Sequence, residues 1–125
     1  MLGDLHIHPT IPASDLDRAR AFYRDKLGLS PAREMPGGLI YECAGGSWFI
    51  LYPTRGAGTA THTLAGWRTS DIEGDVAGLR ARGVVLEEYD MPNLKTVNGI
   101  ATMGPVRAAW FKDSEGNILG LVQFS

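Results

Sequence analysis

The sequence holds a single cysteine, Cys43, which excludes an intramolecular disulfide and any thiolate-rich zinc centre. It has no apolar run near the ~18–20 residues of a spanning helix, so no membrane segment is expected. The opening Met1-Leu2-Gly3-Asp4-Leu5-His6 lacks the basic and apolar stretches of a secretory signal, which points to a cytoplasmic chain. An excess of positive charge is missing too. Twelve basic against fourteen acidic side chains give a net charge of −2 and a pI near 5.9, which argues against a nucleic-acid partner. With 44% hydrophobic residues and a mean hydropathy of −0.08, residues 1–125 read as one globular domain.

What is plentiful is glycine: 16 residues, against roughly 7% in an average chain, scattered so that they punctuate turns. Between them two helices stand out. From Asp15 to Leu27, the residues Leu16, Ala19, Phe22, Tyr23 and Leu27 form one apolar face, with Ser14 to cap the start and Gly28 the end. From Asp71 to Arg82 the stripe is Ile72, Val76 and Leu79, with Ser70 and Glu73 as a capping box and Gly83 as the stop. Gly74 and Gly78 weaken that second helix by about 1 kcal/mol each relative to alanine, so packing must hold it. Strands are expected at Leu5–Ile11, Leu39–Cys43, Ser47–Tyr52, Thr63–Thr69, Val84–Tyr89, Ala108–Lys112 and Ile118–Phe124. Hairpin turns are expected at Ala44-Gly45-Gly46 and Asp113-Ser114-Glu115-Gly116. Pro9 and Pro12 suit an edge strand, where a missing N–H is tolerated.

The halves repeat. His6, Ser14-Asp15-Leu16-Asp17 and Gly28 match His62, Ser70-Asp71-Ile72-Glu73 and Gly83, at an offset of 56 residues that becomes 55 at the helix end. Each half is too small to bury its own sheet face, so duplicated βαβββ modules, about 1–57 and 58–125, should pack together. The expected architecture is α+β: two tandem modules forming a curved mixed sheet around a cleft, helices outside. Glu88 to Val106 breaks the symmetry with no clear period. Met91, Leu94, Val97, Ile100 and Met103 give it apolar material to act as a flap over the cleft.

Ser14 to Tyr23 with Leu27-Gly28-Leu29, and Phe111-Lys112-Asp113-Ser114-Glu115-Gly116-Asn117, resemble the vicinal oxygen chelate superfamily. That superfamily includes glyoxalases, bleomycin-resistance proteins, fosfomycin-resistance enzymes and extradiol dioxygenases, and the resemblance spans essentially the whole chain. It implies the fold but not one activity. In the metal-dependent members, each module supplies one ligand from its first strand and one from its last. Carried onto this chain those positions are His8, Leu64, Ile50 and Gly120, and three of the four have no donor atom. A divalent ion needs several N or O ligands, so the expected cofactor is none. A shifted divalent metal site using His6, His8 and His62 is the alternative, since alternation puts His6 and His62 on the faces of His8 and Leu64.

Alternation puts Trp48, Ile50 and Tyr52 on the cleft face, with Gly120 opposite no side chain of its own and Arg68 beside Leu64. Trp67 has the opposite parity and belongs to the core under the second helix. The hairpin registers that would place Tyr41 and Trp110 are open. The candidate ligand-binding set is therefore His8, Trp48, Ile50, Tyr52, Leu64, Arg68, Lys95 and Gly120, with Arg68 and Lys95 to meet an anionic or carbonyl group. Such a wall suits a flat, mostly apolar molecule. Two functions follow. One is a metal-independent small-molecule binder that sequesters a planar natural product or drug, a homodimer as the resemblance implies for the antibiotic-binding branch. The other is a lyase, isomerase or dioxygenase-type enzyme, with His8 as base or with the shifted metal site.

Overall fold

Two aspartates and two left-handed glycines bound the helices. The structure, a computed structural model, describes residues 1–124. Helix α1 (Leu16–Leu27) is capped by Asp15, whose carboxylate accepts the Arg18 N–H at 3.0 Å, and Gly28 ends it at φ +71°. Helix α2 (Ile72–Ala81) is capped by Asp71, which accepts the Gly74 N–H at 3.1 Å, with Gly83 at φ +86° just beyond its end. The expected caps Ser14 and Ser70 stand one residue too early. Ser14 instead donates to Glu115, and Glu73 pairs with Arg107 rather than closing a capping box. The predicted stripes hold: Ala19, Tyr23, Ile72 and Val76 are buried, and Leu16, Phe22, Leu27 and Leu79 pack against them.

The strands are β1 (Thr10–Ala13), β2 (Arg33–Met35), β3 (Gly38–Glu42), β4 (Trp48–Pro53), β5 (Thr63–Arg68), β6 (Asp90–Met91), β7 (Leu94–Val97), β8 (Ile100–Met103), β9 (Val106–Lys112) and β10 (Ile118–Phe124). They form a four-stranded sheet, β1-β4-β3-β2, and a six-stranded sheet, β5-β10-β9-β8-β7-β6. In each module the first strand runs parallel to the last, β1 with β4 and β5 with β10, and the remaining pairs are antiparallel. This is the two-module α+β architecture that the repeat calls for. β1 and β5 are edge strands, which explains why Pro12 is tolerated in β1. No helix among the described residues is long and apolar enough to cross a membrane.

Three expectations change. The first strand begins at Thr10, not Leu5, so His6 and His8 lie before it, where Pro9 ends the approach. Val84–Tyr89 is not a strand; only Leu86 makes a bridge, to Phe111. The supposed flap is sheet: β6, β7 and β8 extend the second module's sheet beyond β9. Its signal was in the sequence, because Asn98 (φ +53°) and Gly99 (φ +82°) form the two-residue loop between Val97 and Ile100, the strongest short hairpin dipeptide.

One apolar core joins the modules through the helix-bearing faces of both sheets. Ile11, Phe49 and Leu51 meet Phe111, Leu119 and Leu121 in it, and the Phe49 ring lies edge-on to Trp67 at 6.1 Å. Trp67 is thus in the core as its parity requires. Tyr41 joins it too, stacked on Phe49 at 4.9 Å, because β3 pairs Tyr41 with Phe49. Its hydroxyl is buried with no partner among the described residues. Removing an unsatisfied polar group while keeping the ring should stabilise, so Tyr41→Phe is expected to gain about 1 kcal/mol in unfolding free energy. A urea titration checks this; a loss would mean the hydroxyl holds a buried water.

A polar clamp closes the core at one end. The Asp113 carboxylate accepts the Tyr23 hydroxyl at 2.7 Å, the Asn117 side-chain amide at 2.9 Å and the backbone N–H groups of Glu115 and Asn117 at 2.9 and 3.0 Å. Burial, then the neighbouring carboxylate, pushes the Tyr23 phenol up, so it stays a donor. The Asn117 amide also donates to the Pro12 carbonyl at 2.7 Å on the free edge of β1. Glu115, with its side chain fully buried, accepts from the Asp15 N–H at 2.8 Å, from the Ser14 and Ser114 hydroxyls, and from the Arg18 guanidinium.

Candidate functional site

Each sheet has a second face outside the shared core, and register settles what stands there. On β4 the buried Phe49 and Leu51 alternate with half-buried Trp48, Ile50 and Tyr52. Parallel pairing sets Thr10 beside Ile50 and Pro12 beside Tyr52. Just ahead of β1, the His8 ring lies flat on Trp48, with ring centroids 4.0 Å apart and planes within 14°. That stack is the best-defined feature of the face. The imidazole is half-buried and has no hydrogen-bond partner among the described residues.

On the second module the same face carries Gly66 and Arg68 of β5, and a register slip at Leu64 brings the Thr63 methyl there as well. Pairing sets Gly66 beside Gly120, and Gly120 beside Trp110. Two glycines side by side leave bare backbone where the fold would otherwise place side chains. A Cβ on Gly120 would stand 3.3 Å from the Ala109 carbonyl and 3.4 Å from Trp110 Cδ1, so the indole leans over that gap. The other edge of Trp110 meets Tyr89 at 5.5 Å, nearly perpendicular. Arg68 is exposed and makes no ion pair among the described residues.

The structure therefore brings together His8, Trp48, Ile50 and Tyr52 on one sheet, and Arg68 and Gly120 on the other; Leu64 falls at the register slip of β5, where Thr63 takes the place beside Gly120. It does not bring Lys95 to either group. Lys95 sits on the helix-bearing side, lining a cavity of about 780 Å³ between α2 and the β7–β8 hairpin, with Arg80 and Arg107. Once the flap became sheet, alternation sent Lys95 to that side. Trp110 and Tyr89 are additions that sequence reasoning missed. The Trp110 position follows only from knowing that Lys112 pairs with Ile118 across the turn.

The first-strand and last-strand positions test whether the site fits a metal. They present one imidazole, two aliphatic side chains and a glycine, and the imidazole is stacked on an indole. His6, His8 and His62 do not gather: among the described residues no three of His, Cys, Asp or Glu form a group that could hold an ion. The residues present do not fit the group.

Comparisons with known proteins agree with the architecture. A family model described as bleomycin resistance protein-like N-terminal matches residues 6–39. No curated protein sequence matches the chain. Among solved structures, UcmS2 is similar at 20% identity over 92% of this chain and 94% of that one, with a TM-score of 0.72. TnmS3, an antibiotic binding protein from Streptomyces sp. CB03234, is 24% identical over 97% and 98% of the two chains, with a TM-score of 0.65. A lactoylglutathione lyase from Agrobacterium tumefaciens is 20% identical over 95% and 92%, with a TM-score of 0.63. At these identities the likeness is one of fold.

Proposed function

The chain has the vicinal oxygen chelate fold, and from that premise we propose that it is a metal-independent binder of a small planar organic molecule, acting as a homodimer. The observation that carries this reading is the His8–Trp48 stack, which puts an aromatic platform where metal-dependent members of the fold would place a ligand. A flat ring laid against Trp48 and Tyr52 is held by burial and stacking, and needs no ion. Binding alone lowers the free concentration of a toxic molecule, which is a complete function for a sequestering protein. That TnmS3 is described as antibiotic binding supports the class of ligand.

The faces support the dimer. Within one chain the modules meet through their helix-bearing sides, so the aromatic face of one module and the glycine face of the other stay outside the core. A second copy can set its Thr63, Arg68, Trp110 and Gly120 opposite His8, Trp48, Ile50 and Tyr52. The ligand is then enclosed between copies, with Arg68 offering a fork of N–H donors to a carbonyl or anionic edge. The half-buried, unpartnered His8 imidazole favours a second reading, an isomerase or lyase with His8 as general base.

Protein purified without a histidine tag is expected to carry well under one equivalent of Ni, Zn, Fe or Mn. Chelator treatment should leave its melting temperature and its ligand affinity unchanged. Metal that titrates back to one equivalent and is lost in His8→Ala would overturn the metal-free reading. A chain that sediments as a monomer with ligand bound would overturn the interchain site.

A further inference from the structure

A cavity of about 480 Å³ opens between the C-terminal end of α1 and the length of α2, on the opposite side of the sheets from the face described above. Its floor is apolar, built from Leu79, Leu121, Phe111 and Trp67, the last two rings lying 6.5 Å apart with planes within 16°. The indole N–H of Trp67 has no hydrogen-bond partner among the described residues, although Trp48 and Trp110 are both on the other face.

The two costly glycines of α2 line this cavity, and only one is explained by the helix itself. A Cβ on Gly74 would stand 2.2 Å from Asp71 Oδ2, so in this cap geometry the carboxylate already takes the space beside Gly74. Gly78 has ordinary helical backbone, and a Cβ on it would meet nothing within 4 Å. Its missing side chain serves no cap, turn or close contact. It keeps the wall of the cavity open on the α2 side. At the rim, the Arg82 guanidinium reaches across to Gly28 and the Lys26 ammonium to Gly83. These supply N–H donors, whereas the carboxylate at the rim, Asp75, already accepts the Thr69 hydroxyl.

We infer that this inter-helix cavity is a second ligand site, for a planar aromatic molecule with a carbonyl acceptor on its edge. The volume lies within the ~300–1,000 Å³ of small-molecule pockets. The ring would lie on Trp67 in the space left by Gly78, and the carbonyl would take a donor from Trp67, Lys26 or Arg82. The inference stands apart from the sheet-face reading, and each can fail alone.

Chromone, a planar bicyclic ketone, is the probe, and the three indole N–H resonances of ¹⁵N-labelled protein are the readout. The Trp67 resonance should move saturably, and Trp48 and Trp110 should not follow it with the same midpoint. Gly78→Leu should weaken the Trp67 response at least tenfold while the melting temperature holds or rises. Gly78→Ala, which any helix accepts, should weaken it several-fold. Naphthalene, of the same ring area but without the carbonyl, should bind several-fold more weakly than chromone. A Trp67 resonance that stays fixed up to the solubility limit, or a Gly78→Leu protein that binds as wild type, would overturn the site. Equal binding of naphthalene would overturn the assigned ligand class.

Discussion

Trp48→Ala should weaken the binding of a planar aromatic ligand by about 2–4 kcal/mol, combining lost burial with lost stacking. The substitution also takes away the surface on which His8 lies, so the imidazole loses its fixed orientation. His8→Ala separates the two readings of the site. In a binder it should cost about one hydrogen bond, roughly 0.5–1.5 kcal/mol. In an enzyme with His8 as general base it should cut turnover about 10²–10⁴-fold while affinity barely moves. Fluorescence titration of both variants with planar aromatic and quinone compounds gives the first quantity. If Trp48→Ala binds every such compound as well as wild type does, the outer face of β4 is not the binding surface.

The second large effect belongs to stability. Glu115→Gln is expected to destabilise the fold by about 2–3 kcal/mol, toward the lower end for a buried pair because Arg18 is half-exposed and can rehydrate. Burial by itself would push the Glu115 carboxyl up. The Arg18 guanidinium, the Asp15 N–H and the Ser114 and Ser14 hydroxyls outweigh it and hold the group down to about 2. The folded value thus lies below the ordinary carboxylate value. The stabilisation is fully present above about pH 5 and is lost as pH falls toward 2. Screened by solvent at Arg18, it amounts to about 2 kcal/mol. Denaturant midpoints measured from pH 6 to pH 2 should therefore fall less steeply in Glu115→Gln than in wild type. Parallel slopes would show that the acid sensitivity comes from other carboxylates.

Much of the fold was legible because its signals are local. The helix faces, the terminal glycines and the 56-residue repeat each depend on near neighbours or on self-similarity. The face shared by Trp48, Ile50 and Tyr52 needed only alternation along one strand. What escaped depends on pairing between strands. Trp110 and Tyr41 could not be assigned to a face until the turns fixed which residue stands opposite which. Lys95 was misplaced for a plainer reason: Asn98-Gly99 was read as loop, and a hairpin there reverses the inference about the whole segment. Glu115 was read as a turn residue. That is half its role, since its side chain leaves the turn and reaches the other module, a contact with no trace in sequence spacing.

That contact also bears on how the chain acquires its structure. The N-terminal end of α1 and the β9–β10 turn that completes it are about a hundred residues apart, so the clamp closes a loop nearly as long as the chain. During synthesis α1 emerges well before its long-range partners at Asp113 and Glu115, which follow it by about ninety to a hundred residues. The first module then waits, with Tyr23 and Arg18 unanswered, until the β9–β10 turn has been made. Contacts of such separation slow folding and make the two modules a single cooperative unit. The duplicated halves, similar as they are, are therefore expected to fold together and not one at a time.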